Sequence, residues 1–195
     1  MRRVLVACEF SGVVREAFRK RGWDAWSCDL LPTEIPGQHI QGDVLKVLRR
    51  GWDLLIAFPP CTHLAVSGAR HFAAKRADGR QQEGIDFFME FVNAPVEHIC
   101  IENPVGIMST VFQKPSQIIQ PWMFGHEAQK TTCLWLKNLP LLVPTKIVGH
   151  GEFVTFKSGK RHPKWYAEAF KTGQHGHLRS KTFQGVANAM AKRWS

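Results

Sequence analysis

Hydrophobic residues along this chain occur in short runs that are separated by turn-forming and charged residues. Runs of this length are typical of strands that are buried on both faces of a sheet. We predict strands at residues 4–8, 24–28, 54–57, 96–101 and 132–136. The intervening segments predict helices at residues 13–21, 44–50, 83–92 and 182–194. The alternation of strands and helices predicts an α/β fold with a doubly wound, mostly parallel sheet.

The first strand, turn, helix and second strand form a unit that is typical of the nucleotide-binding half of a Rossmann-like fold. Asp29 directly follows the second predicted strand. A carboxylate at that position can accept hydrogen bonds from the hydroxyl groups of a ribose. The turn, residues 9–12, contains a single glycine, as many ordinary βα turns do. The unit favours a nucleotide site at this edge of the sheet, and an ordinary βα turn remains the alternative.

A thiol and a carboxyl group follow two predicted strands that are neighbours in the α/β pattern. The strand at residues 54–57 is stopped by two prolines, and Cys61 comes next. The strand at residues 96–101 runs directly into Glu102. Open α/β sheets bind their ligands at the carboxyl ends of the strands. Cys61 is therefore a candidate nucleophile and Glu102 a candidate acid; the simpler alternatives are an inert buried thiol and a solvated carboxylate.

Residues 62–82 contain no apolar periodicity and are rich in polar and cationic side chains. We predict a loop, and a loop this long inside a compact domain is usually functional or mobile. Its four cations, Arg70, Lys75, Arg76 and Arg80, are candidates for contacts with phosphate groups near Cys61. A solvated basic loop explains the same composition equally well.

Composition narrows the class of protein. A chain of 195 residues with 44% hydrophobic and 22% charged residues is typical of one globular domain. The five cysteines are widely spaced and form no C-x-x-C pair, so neither a disulfide framework nor a zinc ribbon is expected. The N-terminal apolar run is too short for a secretory signal, and no apolar run is long enough to span a bilayer. We expect a cytoplasmic location in a bacterial or phage-infected cell, and no metal site.

Charge points to a polyanionic partner. The formal net charge is +10 and the isoelectric point is about 9.7, which favours nucleic acid over acidic partners. Aromatic residues interleave with the cations between residues 145 and 181, as in surfaces that stack on bases. The aromatics are Trp165, Tyr166 and Phe170, and the cations are Lys146, Lys157, Lys160, Arg161, Lys164, Lys171, Arg179 and Lys181. The histidines in this stretch, His150, His162, His175 and His177, have no recognisable metal-ligand spacing.

Taken together, the order of these features resembles the cytosine-C5 DNA methyltransferases. The specific part is a strand ending in Pro-Cys, followed one βα unit later by a strand ending in Glu-Asn. The resembling residues are Phe10-Ser11-Gly12, Asp29, Asp43, Phe58-Pro59-Pro60-Cys61, Glu102-Asn103, Lys130 and Gly185-Val186-Ala187-Asn188-Ala189. The resemblance covers most of residues 4–136 and 179–194.

The resemblance implies a class I methyltransferase fold and transfer of a methyl group from S-adenosylmethionine to C5 of cytosine in DNA. Cys61 would attack C6 of a flipped or unpaired cytosine, and Glu102 would protonate N3. The nucleophile needs a lowered pKa, and the candidate cations that would supply it are Arg70, His63 and Lys130. Asn103 would hold the two strand-end loops together, and the segment 62–82 would close over the base. Further catalytic positions are Pro60 and Lys130, and the implied cofactor-binding residues are Phe10, Ser11, Gly12, Asp29, Leu30, Asp43, Val44, Pro59 and Asn188. The implied DNA contacts are His63, Ser67, Arg70, Lys160, Arg161, Lys164 and Arg179.

Three departures from the family pattern keep other functions open. The first turn has no further glycines after Gly12, the paired arginines near Lys130 are missing, and no large target-recognition domain is present. We expect residues 1–140 to form the catalytic and cofactor-binding domain, 141–177 a small basic nucleic-acid-contacting segment, and 178–195 a returning helix. So small a segment predicts short-site specificity or a partner, as in an enzyme of a phage or a restriction-modification system. The alternatives are a pyrimidine-modifying enzyme with another donor or a nucleotide substrate, and a non-catalytic DNA-binding protein.

Overall fold

In a computed structural model of the chain, residues 1–156, 159–171, 173 and 175–195 are described, the side chains of 169–171 and 175 excepted. The predicted contacts of Lys157, Phe170, Lys171 and His175 therefore lie outside the described residues and side chains. Among the described residues, no helix combines the length and the apolar character that crossing a membrane requires.

The elements follow one another mostly as strand and helix in turn. The strands are β1 (Arg3–Ala7), β2 (Asp24–Asp29), β3 (His39–Gln41), β4 (Leu54–Ala57), β5 (His98–Pro104), β6 (Gln117–Ile119), β7 (Thr132–Lys137), β8 (Phe153–Thr155) and β9 (Arg161–Pro163). The α-helices are α1 (Val13–Arg19), α2 (Phe72–Ala77), α3 (Arg80–Val92), α4 (Met108–Val111), α5 (Lys164–Lys171), α6 (His175–Ser180) and α7 (Gln184–Trp194). Short 3-10 turns lie at Val44–Lys46, Val66–His71 and Pro121–Met123.

The central sheet has seven strands in the order β3-β2-β1-β4-β5-β7-β6. The first five in this order are parallel, and β7 runs antiparallel to both β5 and β6. The strand order reverses between β1 and β4, which is where a doubly wound sheet opens a crevice for ligands. The predicted Rossmann-like, mostly parallel α/β fold is confirmed.

The apolar runs form strands because the sheet is covered by helices on both faces. In β4, Leu54 and Ile56 belong to the core that α1 and α7 cover, whereas Leu55 and Ala57 belong to the core that α3 covers. Successive side chains of a strand point to opposite faces. A central strand must therefore be apolar at every position, which is the pattern that the sequence shows.

The structure corrects the prediction for residues 62–82. This segment is not an extended loop: it contains the 3-10 turn Val66–His71, helix α2 and the beginning of α3. Its helices lack an apolar stripe because most of α2 is exposed, and the buried residue of α2 is a lysine, Lys75. Hydrophobic periodicity detects only helices that bury an apolar face.

Element boundaries differ in two further places. Strand β5 continues to Pro104, so Glu102 and Asn103 lie within the strand and pair with Leu134 and Cys133 of β7 rather than following the strand. The predicted helix at residues 44–50 is one 3-10 turn. Several short elements were not predicted: strands β3, β6, β8 and β9 and helices α5 and α6. The three-residue strands were missed because such strands are defined by their partners and not by a local pattern.

Candidate active site

Asn103 joins the ends of β4 and β5. Its Nδ2 donates a hydrogen bond of 2.8 Å to the backbone oxygen of Pro59, and the side chain is buried. The two strand ends are neighbours in the sheet because Ala57 pairs with Ile101. The loop that carries Cys61 is thereby held against the strand that carries Glu102.

A glycine allows the two chains to stay in contact beyond the strand ends. Ile107 N donates to Leu64 O at 3.0 Å, and Ala65 and Gly106 form an isolated antiparallel bridge. A Cβ atom at Gly106 would lie 2.5 Å from Leu64 O, far inside van der Waals contact. The backbones therefore approach at a distance that only glycine permits.

Glu102 lines a small open pocket near the end of β5. Burial raises the pKa of its carboxyl group, and Lys130 and a hydrogen bond from Thr132 partly oppose that shift. Lys130, Thr132 and Phe58 line the same pocket, together with Phe183 from the chain that precedes α7. A carboxyl group with a raised pKa can stay protonated and donate a hydrogen bond to a ring nitrogen.

Cys61 is half-exposed and lies within electrostatic range of Glu102. Burial raises the pKa of the Cys61 thiol, and the charge of Glu102 raises it further; Arg179 and Lys130 lower it. The expectation of a lowered pKa is therefore wrong, because burial has the largest effect and the charge of Glu102 adds to it. Protonation of Glu102 removes that negative charge and leaves the two cations, so the two groups titrate as a coupled pair.

The cations beside Cys61 differ in part from those that the sequence suggested. Lys130 was expected and is present, and its Nζ donates to Lys181 O at 3.3 Å. Arg179 is the second cation, and its guanidinium lies 5.1 Å from the centre of the Tyr166 ring. Arg70 instead is exposed and donates to the neighbouring His71.

A buried cation attaches the segment after Cys61 to the fold, and it is one of the four that were expected to contact phosphate groups. Lys75 is 8% exposed, and its Nζ donates to Thr62 O. Gln81 Nε2 donates to His63 O at 3.3 Å. Ser67 is exposed on the 3-10 turn. A lysine in an apparently polar loop carries no sequence signal of burial, because only the fold supplies its carbonyl partner.

The turn at residues 9–12, which was expected to contact a ligand, is largely buried. Phe10 is 8% exposed and Ser11 2%, and Gly12 has a φ of 75° that suits glycine. Glu9 Oε1 accepts hydrogen bonds from Ser11 Oγ and Val14 N at 2.9 and 2.8 Å. Glu9 Oε2 is buried without a partner among the described residues, so this carboxylate has an acceptor left for a ligand. Glu9 was not predicted as a site residue, although a carboxylate directly after a predicted buried strand could have indicated it.

A chain of contacts covers the Phe10 side of this turn. The rings of Phe10 and His177 lie 4.8 Å apart. His177 Nε2 and Lys181 Nζ both bind the carboxylate of Glu34, at 2.6 and 2.7 Å. Glu34 N in turn donates to Phe10 O at 2.9 Å. The segment that supplies Arg179 is thereby tied to the first turn.

The acids expected to hold a nucleoside lie close together at the ends of β2 and β3. Both Asp29 and Asp43 raise the pKa of the Cys8 thiol, behind the larger effect of burial. Oδ1 of Asp29 accepts from Leu31 N at 2.9 Å, and Oδ1 of Asp43 accepts from Leu45 N at 3.0 Å. Each carboxylate therefore keeps a second oxygen for a ligand.

Apolar surface accompanies these acids. Leu30 is 73% exposed beside Asp29, whereas Val44 is buried below. A nucleoside needs hydroxyl acceptors next to an apolar surface for its base. The residues present fit the adenosine part of S-adenosylmethionine.

Helix α7 contributes to the pocket through a different face from the one predicted. Val186 and Met190 line the pocket. Asn188 is exposed and accepts a hydrogen bond from Gln184 Nε2 at 2.9 Å. Because residues two apart on a helix point in nearly opposite directions, the structure does not bring Asn188 to the site. Gly185, in contrast, packs closely, and its N donates to His126 Nε2 at 2.8 Å.

The candidate DNA contacts are spread over one side of the carboxyl edge. Lys160 and Arg161 are exposed on and beside β9. Lys164 binds Glu152 at 2.7 Å, also at the surface. The charge of Arg179 lowers the pKa of Cys61, whereas His63 lies half-buried two residues after Cys61.

No protein-family model and no curated protein sequence matches this chain. Among solved structures, the chain is similar to a crystal structure of a candidate DNA modification methyltransferase encoded within a prophage of E. coli. The TM-score is 0.52 at 16% identity, over 76% of this chain and 52% of that one. The chain thus spans about half the length of that protein. What the likeness shows is a shared fold, a Rossmann-like α/β fold.

Proposed function

We propose that this protein is a DNA methyltransferase that transfers a methyl group from S-adenosylmethionine to C5 of cytosine. The observation that carries the proposal is the hydrogen bond from Asn103 to Pro59, which holds Cys61 and Glu102 at adjoining strand ends. The similarity to a candidate DNA modification methyltransferase from a prophage supports the broader activity. The net charge of +10 supports DNA as the substrate.

The proposed chemistry starts with a thiolate. Cys61 adds to C6 of the cytosine ring, and the ring becomes an enamine with a nucleophilic C5. Glu102, kept protonated by burial, donates its proton to N3 as electron density builds there. While Glu102 is protonated it carries no negative charge that would oppose the Cys61 thiolate, and the charges of Arg179 and Lys130 favour that thiolate. Burial remains the largest effect and raises the pKa of the thiol, so the two cations must offset it when the thiolate forms.

S-adenosylmethionine supplies the electrophilic methyl group when it is bound. Asp29 would accept hydrogen bonds from the ribose hydroxyls, Asp43 from the adenine amino group, and Leu30 would pack on the base. Glu9 would use its free oxygen for the ammonium group of the methionine part. Loss of the C5 proton to a base then allows the C6–sulfur bond to break, and N3 returns its proton to Glu102. Both the Cys61 thiolate and the Glu102 acid are thereby restored.

A mechanism-based trap tests this proposal directly. DNA that contains 5-fluorocytosine cannot lose a proton from C5, so we expect a covalent protein–DNA adduct in the presence of S-adenosylmethionine. The adduct should be absent in Cys61→Ala and strongly reduced in Glu102→Gln. Cys133→Ala is a matched control, since Cys133 is also a free cysteine but pairs with Asn103 inside the sheet. Full methylation activity in Cys61→Ala would refute the mechanism.

The product should be checked independently of the trap. Digestion of DNA from cells that express the protein, followed by mass spectrometry, should yield 5-methylcytosine. A different modified pyrimidine would support transfer of another group by the same Cys61–Glu102 pair. An unmodified DNA together with no binding of S-adenosylmethionine at millimolar concentration would support the non-catalytic alternative.

A further inference from the structure

Strands β8 and β9 form a two-stranded ribbon that is separate from the central sheet. The strands are antiparallel, and Phe156 N donates to Lys160 O at 2.9 Å at the end where they join. The register pairs Phe153 with Pro163, Val154 with His162 and Thr155 with Arg161. A two-stranded ribbon alone is at best marginally stable in water, so contacts outside the ribbon decide its position.

One face of the ribbon contacts helix α5. The ring of His162 stacks on Tyr166 of α5, with 5.4 Å between the ring centres. Phe156 contacts His162 edge to face at 5.0 Å. At the base of the ribbon, Lys164 N donates to Glu152 O at 2.8 Å. These contacts leave the opposite face turned away from α5, because side chains alternate along a strand.

The opposite face carries an arginine and a threonine side by side. Thr155 and Arg161 are directly paired across the strands and are both exposed. The Arg161 guanidinium lies 5.1 Å from the centre of the Phe153 ring, which places Phe153 on this same face. Lys160 is exposed next to Arg161. We call this surface, formed by Phe153, Thr155 and Arg161, the outer ribbon face.

Helix α5 connects the ribbon to the candidate active site. Trp165 Nε1 donates to Gln129 O at 3.2 Å, beside Lys130. The Trp165 ring also contacts Phe183, a pocket residue, at 5.6 Å. The next residue, Tyr166, contacts both His162 of the ribbon and Arg179 of the active site. A nucleic acid held by the ribbon would therefore lie beside the pocket that contains Glu102.

We propose that the outer ribbon face enters the major groove of duplex DNA and that Arg161 and Thr155 read base edges there. The inference rests on the proposed function in taking DNA as the substrate. A two-stranded ribbon fits the major groove of B-DNA, which is about 12 Å wide. Arginine binds O6 and N7 of guanine with two hydrogen bonds, and threonine contacts either a base edge or the methyl group of thymine. Lys160 contacts the adjacent phosphates and adds affinity without specificity.

This assignment gives the protein a recognition device that occupies only a few residues. Two base-reading side chains specify a site of two or three base pairs, so the target is a short sequence that includes a guanine. Double-stranded RNA is not a partner for this surface, because the major groove of an A-form helix is too deep and narrow for side chains to read.

Selection of random-sequence DNA duplexes by the full-length protein, followed by sequencing, tests the proposal. The unsubstituted protein should enrich a short motif that contains guanine. Arg161→Ala should lose the preference for that guanine and bind the selected site about tenfold to a hundredfold more weakly. Arg161→Lys should also lose the preference while it keeps most of its affinity for random DNA, since lysine lacks the bidentate geometry. Arg161→Lys thus distinguishes a loss of base recognition from a loss of positive charge.

Two control variants complete the design. Lys160→Ala should weaken binding to all sequences alike and reduce the slope of the salt dependence by about one. Lys20→Ala removes an exposed lysine at the end of α1. A helix that follows a parallel strand ends near the opposite edge of the sheet, far from the ribbon. This variant should therefore change neither the affinity for DNA nor the slope of its salt dependence. Unfolding midpoints of all variants should match that of the unsubstituted protein because the substituted side chains are exposed.

The outcomes separate this inference from the proposed function. Selection requires no methyl transfer, so a motif that disappears in Arg161→Ala supports the ribbon even if no methylated base is found. If the protein methylates cytosine within a motif and Arg161→Ala leaves that motif unchanged, the role of the ribbon is overturned while the proposed function stands. The absence of any enriched motif also overturns the ribbon proposal. So does binding to an RNA duplex of the selected sequence with the same affinity as to the DNA duplex.

Discussion

Gly106→Ala perturbs the contact between the two loops that position Cys61 and Glu102. The added Cβ atom would lie 2.5 Å from Leu64 O, whereas an ordinary contact begins at 3.4 Å, so the two backbones must separate by about 1 Å. The φ of Gly106 does not lie in the left-handed region, so the effect comes from the close approach and not from backbone strain.

The size of the effect follows from the hydrogen bonds that span this contact. Ile107 N to Leu64 O and Val66 N to Val105 O are both 3.0 Å long and would be lost on a separation of about 1 Å. Two such bonds contribute about 1–3 kcal/mol. Alanine reduces the entropy of the unfolded chain and returns about 0.4–1 kcal/mol. We expect a net loss of about 1–2 kcal/mol in the free energy of unfolding.

Urea unfolding followed by tryptophan fluorescence measures this loss, and hydrogen exchange locates it. In Gly106→Ala the amides of residues 66 and 107 should exchange faster than in the unsubstituted protein. Gly149→Ala is the matched control, because its nearest neighbouring atom is Glu127 Oε1 at 4.0 Å and its φ is ordinary. If the two variants have equal unfolding midpoints and equal exchange at these amides, the close approach does not hold the loops together.

Three further predictions concern buried or partly buried ionisable groups. In Glu102→Gln, the pH profile for alkylation of Cys61 by iodoacetamide should move to lower pH, because the charge that raises the thiol pKa is gone; an unchanged profile would contradict the coupling. Lys75→Met removes the donor to the carbonyl that follows Cys61 and should lower the free energy of unfolding by about 1–3 kcal/mol. Lys46→Met, at an exposed lysine, should leave the free energy of unfolding unchanged. Equal urea midpoints in Lys75→Met and Lys46→Met would contradict a stabilising role of Lys75. His126 accepts a hydrogen bond at the start of α7, and burial lowers its pKa from 6.5. The folded state thus binds fewer protons than the unfolded state, so the melting temperature should rise with pH up to about 6.5 and then level off; His126→Asn should lose that dependence.

Much of the fold could be predicted from the sequence, because a buried parallel strand requires an uninterrupted apolar run. The runs at residues 54–57 and 132–136 therefore mark β4 and β7 almost residue for residue. The run at residues 96–101 misplaces the end of β5, since the pairing of Glu102 and Asn103 with β7 depends on a strand that lies thirty residues later. The three-residue strands have no local signature at all.

The sequence alone determined the residue types at this edge, a thiol after β4 and two prolines and a carboxyl group near the end of β5 before Asn-Pro. Their meeting is a property of the sheet, in which β4 and β5 are hydrogen-bonded neighbours and Asn103 closes the gap to Pro59. The tertiary structure alone decided that burial raises the pKa of Glu102 and that the charge of Arg179, distant in sequence, acts on the pKa of Cys61. The physical reason is that local pattern reports which side chains are buried, whereas electrostatic coupling depends on distances that arise only when separate elements pack.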